Sequence, residues 1–253
     1  MVNQAFLDKT RGWCYWEITL TTAKGFSYRQ GKDSSWQTTN IMHNYIVIEG
    51  PLGVGKTSLA LKLAEEMNAE TLIEDTEENP FLLKFYQNPK KYSFQTQIFF
   101  LLKRYQQSTR IGQMGLFKRM VISDYLFEKD MIFARTNLDD SEFWLYEQLF
   151  HLLKRRIVPP DLTIFLQATT DVLMERIKKR NRKYERNISF KYLESINQAF
   201  NEYFFHYSGS PLLIINASKI DFVHVPEDFK DLVERIRRMR SGIQYYVPMS
   251  SMD

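Results

Sequence analysis

Between Tyr45 and Met239 the apolar residues follow two alternating patterns. Short continuous runs (Tyr45–Ile48, Thr71–Ile73, Met120–Ile122, Leu162–Leu166 and Leu212–Ile215) have the length and composition of strands. Longer segments between them repeat apolar positions every three or four residues. They predict helices over Thr57–Met67, Tyr92–Gln107, Glu142–Ile157, Asp171–Lys179, Phe190–Tyr207 and Glu227–Met239. Near-continuous apolar strands alternating with helices imply an α/β fold, a five-stranded parallel sheet with helices on both faces. Ligands of such sheets bind at the carboxyl ends of the strands.

The first 42 residues break this pattern. Trp13, Trp16 and Trp36 lie there with the single cysteine, Cys14, and a stretch rich in Thr, Ser and Gly. Tyr15–Leu20 has the makings of one strand, and no partner for it follows. Residues 1–42 are therefore expected to be an atypical N-terminal segment, and 43–240 the working domain. Residues 241–253, with Ser, Gly, Met and Pro, are expected to form a flexible tail. Met42 stands three residues before the first strand, so residues 1–41 are expected to be dispensable. The alternative is an accessory β segment.

Composition narrows the class without naming it. A chain of 253 residues with 44% apolar and 25% charged residues has enough material for one full α/β core. A net charge of +4, without a dense basic block, is too small to argue for nucleic acid on its own and suits phosphate ligands. One cysteine excludes an internal disulfide and a cysteine-based zinc cluster. His43, His151, His206 and His224 lack metal-ligand spacing. No apolar run approaches membrane-spanning length, and the N-terminus lacks the layout of a secretory signal. The expectation is a cytoplasmic enzyme that binds neither membrane nor nucleic acid.

The chemistry begins at Gly50-Pro51-Leu52-Gly53-Val54-Gly55-Lys56-Thr57, which fits the phosphate-loop pattern G-x-x-x-x-G-K-[ST] between a strand and a helix. Glycines let backbone N–H groups curl around an anion, and the helix N-terminus adds partial positive charge. Lys56 would reach the β- and γ-phosphates, and Thr57 would hold Mg2+. The second strand runs into Glu74, ahead of Asp75, Glu77 and Glu78. A carboxylate at a strand end could take the proton of an attacking hydroxyl, or it could belong to a solvated acidic loop; Glu74 stands out as the first acid off the strand. The third strand runs into Asp124, which suits the acidic partner of Mg2+ in phosphate-loop enzymes.

Within the second predicted helix, Phe94, Gln97, Leu101 and Arg104 share one face. An amide and a guanidinium among large apolar residues could read a nucleobase edge, or they could lie on a face partly open to water. The basic run from Arg176 to Arg186 could be a solvated helix end, or a lid that closes on transferring phosphates.

These motifs together resemble the deoxynucleoside kinase family over about Tyr45 to Ile236. Glu74 followed by Glu78-Asn79-Pro80-Phe81 is similar to the family's strand-end base and its E-N-P. The resemblance implies a P-loop kinase fold with a basic lid, ATP as phosphate donor, Mg2+ and a homodimer. It implies that Tyr86 holds the deoxyribose 3′-hydroxyl together with Glu185 of the lid. It places Gln97 on the base, with Arg104 and its partner Asp130 marking members that accept purines or deoxycytidine, and Phe133 stacked on the base. Arg176, Arg180 and Arg182 match the lid arginines, and Asp221-Phe222 resembles the loop that touches the donor's adenine.

One departure stands out. Many members carry an acid followed by Arg at the end of the third strand, and here the pair is Asp124-Tyr125. That puts one phosphate-side contact in doubt, although bacterial deoxyguanosine kinase-like members carry the same pair. It also weighs against nucleoside monophosphate kinases, whose arginine grips the acceptor phosphate. The expected activity is phosphorylation of the 5′-hydroxyl of a deoxynucleoside, a purine, in nucleotide salvage. The rivals are a monophosphate kinase of the same fold and a non-catalytic kinase-like subunit. A chain begun at Met42 is expected to keep both solubility and turnover; loss of either would assign residues 1–41 a necessary role.

Overall fold

The computed structural model describes residues 43–114, 120–218 and 225–247. The expectations placed on residues 1–42, on Asp221 and Phe222, and on the end of the tail lie outside these residues. The described strands are β1 (Tyr45–Glu49), β2 (Glu70–Leu72), β3 (Val121–Ser123), β4 (Leu162–Gln167), β5 (Leu212–Asn216) and β6 (Ile243–Tyr246). They form one sheet in the order β2-β3-β1-β4-β5-β6, and every neighbouring pair is parallel. The helices are α1 (Lys56–Met67), α2 (Leu82–Gln87), α3 (Pro89–Met114), α4 (Lys129–Asn137), α5 (Asp140–Lys154), α6 (Thr170–Arg180), α7 (Phe190–Phe205) and α8 (Pro226–Arg238).

The period-two geometry of a strand sends neighbouring side chains to opposite faces. Ile46 and Ile48 of β1 join Ile164 and Leu213 beneath Leu59 and Leu63 of α1, Leu173 of α6 and Leu232 of α8. Tyr45 and Val47 face the other way, with Phe165 and Ile214, toward Ile132 of α4 and Phe200 and Phe204 of α7. Because both faces are covered, the central strands have no polar alternation to show. A third apolar cluster, with Leu101, Phe127, Tyr146 and Phe150, ties α3, α4 and α5 together beside the sheet. The start of α5 is fixed by a capping box, in which Asp139 accepts from the Glu142 backbone N–H at 2.9 Å and the Glu142 side chain accepts from the Asp139 N–H.

Three features differ from the sequence expectation. The sheet has a sixth strand where a flexible tail was expected. Gly242, at φ 73°, turns the chain back, its carbonyl accepts from the Leu212 N–H at 2.9 Å, and Ile243–Tyr246 then pairs with β5. This edge strand buries Tyr246 while exposing Ile243 and Tyr245, so its four residues never form an apolar run. Helices α2 and α4 were not foreseen. The buried side of α4 carries Lys129 and Asp130 beside Ile132 and Ala134, which hides its amphipathic pattern.

Tyr246 is 2% exposed, and its hydroxyl donates to Asp231 of α8 at 2.7 Å. Tyr246→Ala is expected to lower stability by about 3–5 kcal/mol in urea denaturation, as for other large buried side chains. A loss below about 1 kcal/mol would mean that the sixth strand adds nothing to the fold.

Candidate active site

The strand order brings the carboxyl ends of β1, β3 and β2 together, and the loops that follow them form the floor of a cleft. After β1 comes the glycine loop. Gly53 has φ 81°, and a Cβ there would meet the Leu173 carbonyl oxygen at 2.9 Å. Gly55 has φ 106° and is the residue from which α1 starts, a conformation that side chains rarely adopt. Gly50 donates its N–H to Glu49 Oε1 at 2.8 Å. The sequence at 50–57 thus folds as a tight loop that feeds a helix N-terminus, which is the geometry that receives phosphate.

Lys56 Nζ donates to the Gly50 and Pro51 carbonyls at 2.7 and 3.0 Å. Burial, and then the nearby Lys129 ammonium, push Lys56 down to about 8. Thr57 Oγ1 donates to Asp124 Oδ2, and Asp124 Oδ1 accepts from the Glu74 N–H at 2.8 Å. Asp124 therefore joins the ends of β3 and β2 to the first turn of α1.

Glu74 stands at the centre of a charge cluster. Arg104 pairs with its Oε1, and Lys129 Nζ donates to its Oε2 at 2.7 Å. Burial works against its charge, but Arg104 and then Lys129 prevail and hold the carboxyl well below the usual carboxylate range. Arg104, on α3, also pairs with buried Asp130 of α4, as expected. Its second partner, Glu74, was not expected; the same guanidinium links the strand-end acid to the residues predicted to read the base. The guanidinium carbon lies 5.1 Å from the Phe100 ring and 5.7 Å from the Tyr125 ring.

One cavity carries most of these groups. Lys56, Thr57, Glu74 and Asp124 line one end, and Tyr86, Gln97, Arg104 and Phe133 line another. The end of α6 and the stretch after it also line it, with Arg180, Arg182, Tyr184 and Glu185. Glu185 is buried and accepts from Arg180 Nε at 3.1 Å and from its Nη2. Tyr184 shares a hydrogen bond with the Thr76 hydroxyl at 2.9 Å and stacks on Tyr86 at 6.4 Å between ring centroids. Burial, then Tyr192 and Glu185, push the Tyr86 phenol well above its ordinary value, so it stays a proton-bearing donor.

Arg176 stands elsewhere. It lies within α6, and its guanidinium donates to the carbonyls of Val54 and Ala217 at 3.3 and 2.8 Å. It braces the glycine loop and does not line the cavity: it shares a helix face with Arg180 but sits one turn nearer the start of α6, where its guanidinium is taken by the Val54 carbonyl of the loop.

Three contributors escaped the sequence reading. Glu49 is fully buried at the last position of β1, where Oε1 takes the Gly50 N–H and Oε2 the Leu126 N–H at 2.7 Å. Burial raises its pKa, although Lys129 and Lys56 pull the other way. Lys129 and Tyr184 are the others. A charge at the end of an apolar strand and a lone Lys beside Asp130 were the available signals.

The glycine loop, the Thr57–Asp124 pair and the buried hydrogen-bonding groups Gln97 and Arg104 in the same cavity define the class, a phosphate-loop phosphotransferase. The chain belongs to the deoxynucleoside kinase family, whose family model (Deoxynucleoside kinase) matches residues 46–240. It is 33% identical over 200 residues to a deoxyguanosine kinase of Bacillus subtilis (strain 168), covering 77% of this chain and 97% of that one. It is 35% identical over 202 residues to a deoxyadenosine kinase of Dictyostelium discoideum, covering 78% and 81%. A solved deoxyadenosine kinase from M. mycoides with bound dATP superposes with a TM-score of 0.68 at 25% identity, over 77% of this chain and 99% of that one.

Proposed function

We propose that this deoxynucleoside kinase transfers the γ-phosphoryl group of ATP to the 5′-hydroxyl of a purine deoxynucleoside, deoxyguanosine or deoxyadenosine, in nucleotide salvage. One observation carries the reading: Glu74 stands in the same cavity as the phosphate loop and as Gln97 and Arg104. A nucleoside laid along that cavity has its hydroxyl at Glu74 and its base at Gln97. The names of the relatives support a purine, and so does the Arg104–Asp130 pair.

In the proposed reaction the 5′-oxygen forms a bond to the γ-phosphorus as the bond to the β-phosphate oxygen breaks. The hydroxyl proton passes to Glu74. A carboxylate held by Arg104 and Lys129 is a weak base, and this suits a loose transition state in which bond formation to the nucleophile lags. Lys56, Arg180 and Arg182 stabilise charge on the phosphates. Tyr86 and Glu185 hold the 3′-hydroxyl, and Phe133 stacks on the base. Arg176 acts through the loop it braces.

The donor set of Thr57 and Asp124, a hydroxyl and a carboxylate, suits a hard cation such as Mg2+. Among the described residues no cluster of three His, Cys, Asp or Glu could hold a metal by itself, so the nucleotide would complete its shell. When bound, the ion would neutralise charge on the β- and γ-phosphates.

Glu74→Gln is expected to leave nucleoside binding nearly intact and to lower turnover by about two to four powers of ten. Turnover within tenfold of the parent removes Glu74 from the base role. A panel of deoxynucleosides at fixed ATP is expected to give the higher kcat/KM with purines. Arg104→Met is expected to shift the purine-to-pyrimidine ratio by about 1–3 kcal/mol. An unchanged ratio defeats the specificity assignment.

A further inference from the structure

The replacement of the usual arginine by Tyr125 leaves a question that the structure answers. Tyr125 is fully buried, its hydroxyl donates to Gln107 Oε1 at 2.9 Å, and its ring lies against Arg104. It is absent from the cavity lining, so it makes no phosphate-side contact. One turn further along the chain, the first residue of α4 takes a different course. Lys129 is 4% exposed and lines the cavity with Lys56, Thr57 and Asp124. Its Nζ donates to Glu74 Oε2 at 2.7 Å.

We infer that Lys129 is a catalytic cation of the phosphoryl-transfer step, acting on the transferring γ-phosphoryl group. The inference rests on the reading of Glu74 as the acceptor-side carboxylate. A 5′-hydroxyl that hydrogen-bonds to Glu74 places the γ-phosphorus one bond beyond its own oxygen, within reach of a cation that touches Glu74. Arg104 touches it but is also held by Asp130, whereas Lys129 has Glu74 as its one ion-pair partner among the described residues. An ammonium has three N–H donors. Among the described residues one of them is directed at Glu74, and the others can meet equatorial phosphoryl oxygens.

The step balances without Lys129 changing its protonation. The oxygen–phosphorus bond forms to the nucleoside, the γ-phosphorus–oxygen bond to ADP breaks, the proton goes to Glu74, and Lys129 stays an ammonium throughout. Its contribution is charge stabilisation where negative charge is spread over the equatorial oxygens. Lys56 approaches from the glycine loop and Arg180 from the lid, so Lys129 supplies the cation from the floor beside the acceptor.

A residue that only propped Glu74 or α4 would behave differently from one that stabilises the transition state. The experiment is steady-state kinetics of Lys129→Met and Lys129→Arg with ATP and the best deoxynucleoside from the panel. Nucleoside affinity by calorimetry and thermal unfolding accompany it. Lys129→Met is expected to lower kcat by about 10²- to 10³-fold, the cost of removing one such donor in other enzymes. Nucleoside Kd is expected to stay within about threefold, by the same argument that a transition-state contact spares ground-state binding. Lys129→Arg is expected to recover most of the rate. The inference is overturned by a Lys129→Met kcat within about threefold of the parent, by a loss confined to nucleoside affinity, or by a Lys129→Arg chain as slow as Lys129→Met. If Lys129→Met does not fold, Lys129→Gln is read by the same criteria. Parental turnover in Glu74→Gln would sink the base assignment alone, and the Lys129 variants would still report on the cation.

Discussion

Carboxylates taken out of water must find partners, and the floor of this cleft holds four of them. Glu49, Glu74, Asp124 and Asp130 are shielded there together with Lys56, Lys129 and Arg104. An unpaired buried charge is strongly destabilising, so each group fixes the position of the next. Asp124 joins Thr57 to the backbone of Glu74, Glu74 joins Lys129 to Arg104, and Arg104 reaches Asp130. Glu49 anchors the underside by taking two backbone N–H groups, one from the glycine loop and one from the segment after β3. The catalytic geometry is the pairing pattern of these charges.

The sheet makes this pairing possible. Parallel strands end on the same side, and the order β2-β3-β1 places three strand ends side by side. Glu74, Asp124 and the glycine loop come from those ends, although they are far apart in sequence. The other partners arrive on helices: Gln97 and Arg104 on α3, and Lys129, Asp130 and Phe133 on α4. Rigid elements carry the residues proposed for both the chemistry and the recognition, while the end of α6 and the short segment after it, held by Arg180–Glu185 and Tyr184–Thr76, also line the cavity.

Much of this was legible in the sequence, for definite reasons. Four of the five predicted strands were found because they are buried on both faces and read as apolar runs; β2, an edge strand with Thr71 exposed, was marked only by the short run that leads into Glu74. Glu74 and Asp124 followed because a strand that ends in an acid points that acid into the cleft. Gln97 and Arg104 were visible as polar residues on an otherwise apolar helix face. The misses have equally local causes. Strand β6 lies at an edge and exposes alternate side chains, so it has no run to detect. Helix α4 buries Lys129 and Asp130, which imitate a loop. Glu49 satisfies its carboxylate with two backbone N–H groups, and its ion pair with Lys56, at 4.0 Å, leaves no pattern in the sequence. Arg176 was grouped with the lid because it belongs to one basic run, yet it lies one helical turn before Arg180, where the Val54 and Ala217 carbonyls take its guanidinium.

Arg104 has a consequence that reaches past its own contacts. It is held by Glu74 and Asp130 at once, so any ligand that draws it away must compete with a carboxylate for the same N–H groups. Such a ligand also changes the proton affinity of Glu74, and thermodynamic reciprocity requires that protonating Glu74 change the ligand's affinity in return. Selectivity and reactivity are thereby two readings of one equilibrium. Under the roles proposed for Arg104 and Glu74, the choice of base at this position cannot be retuned without retuning the chemistry.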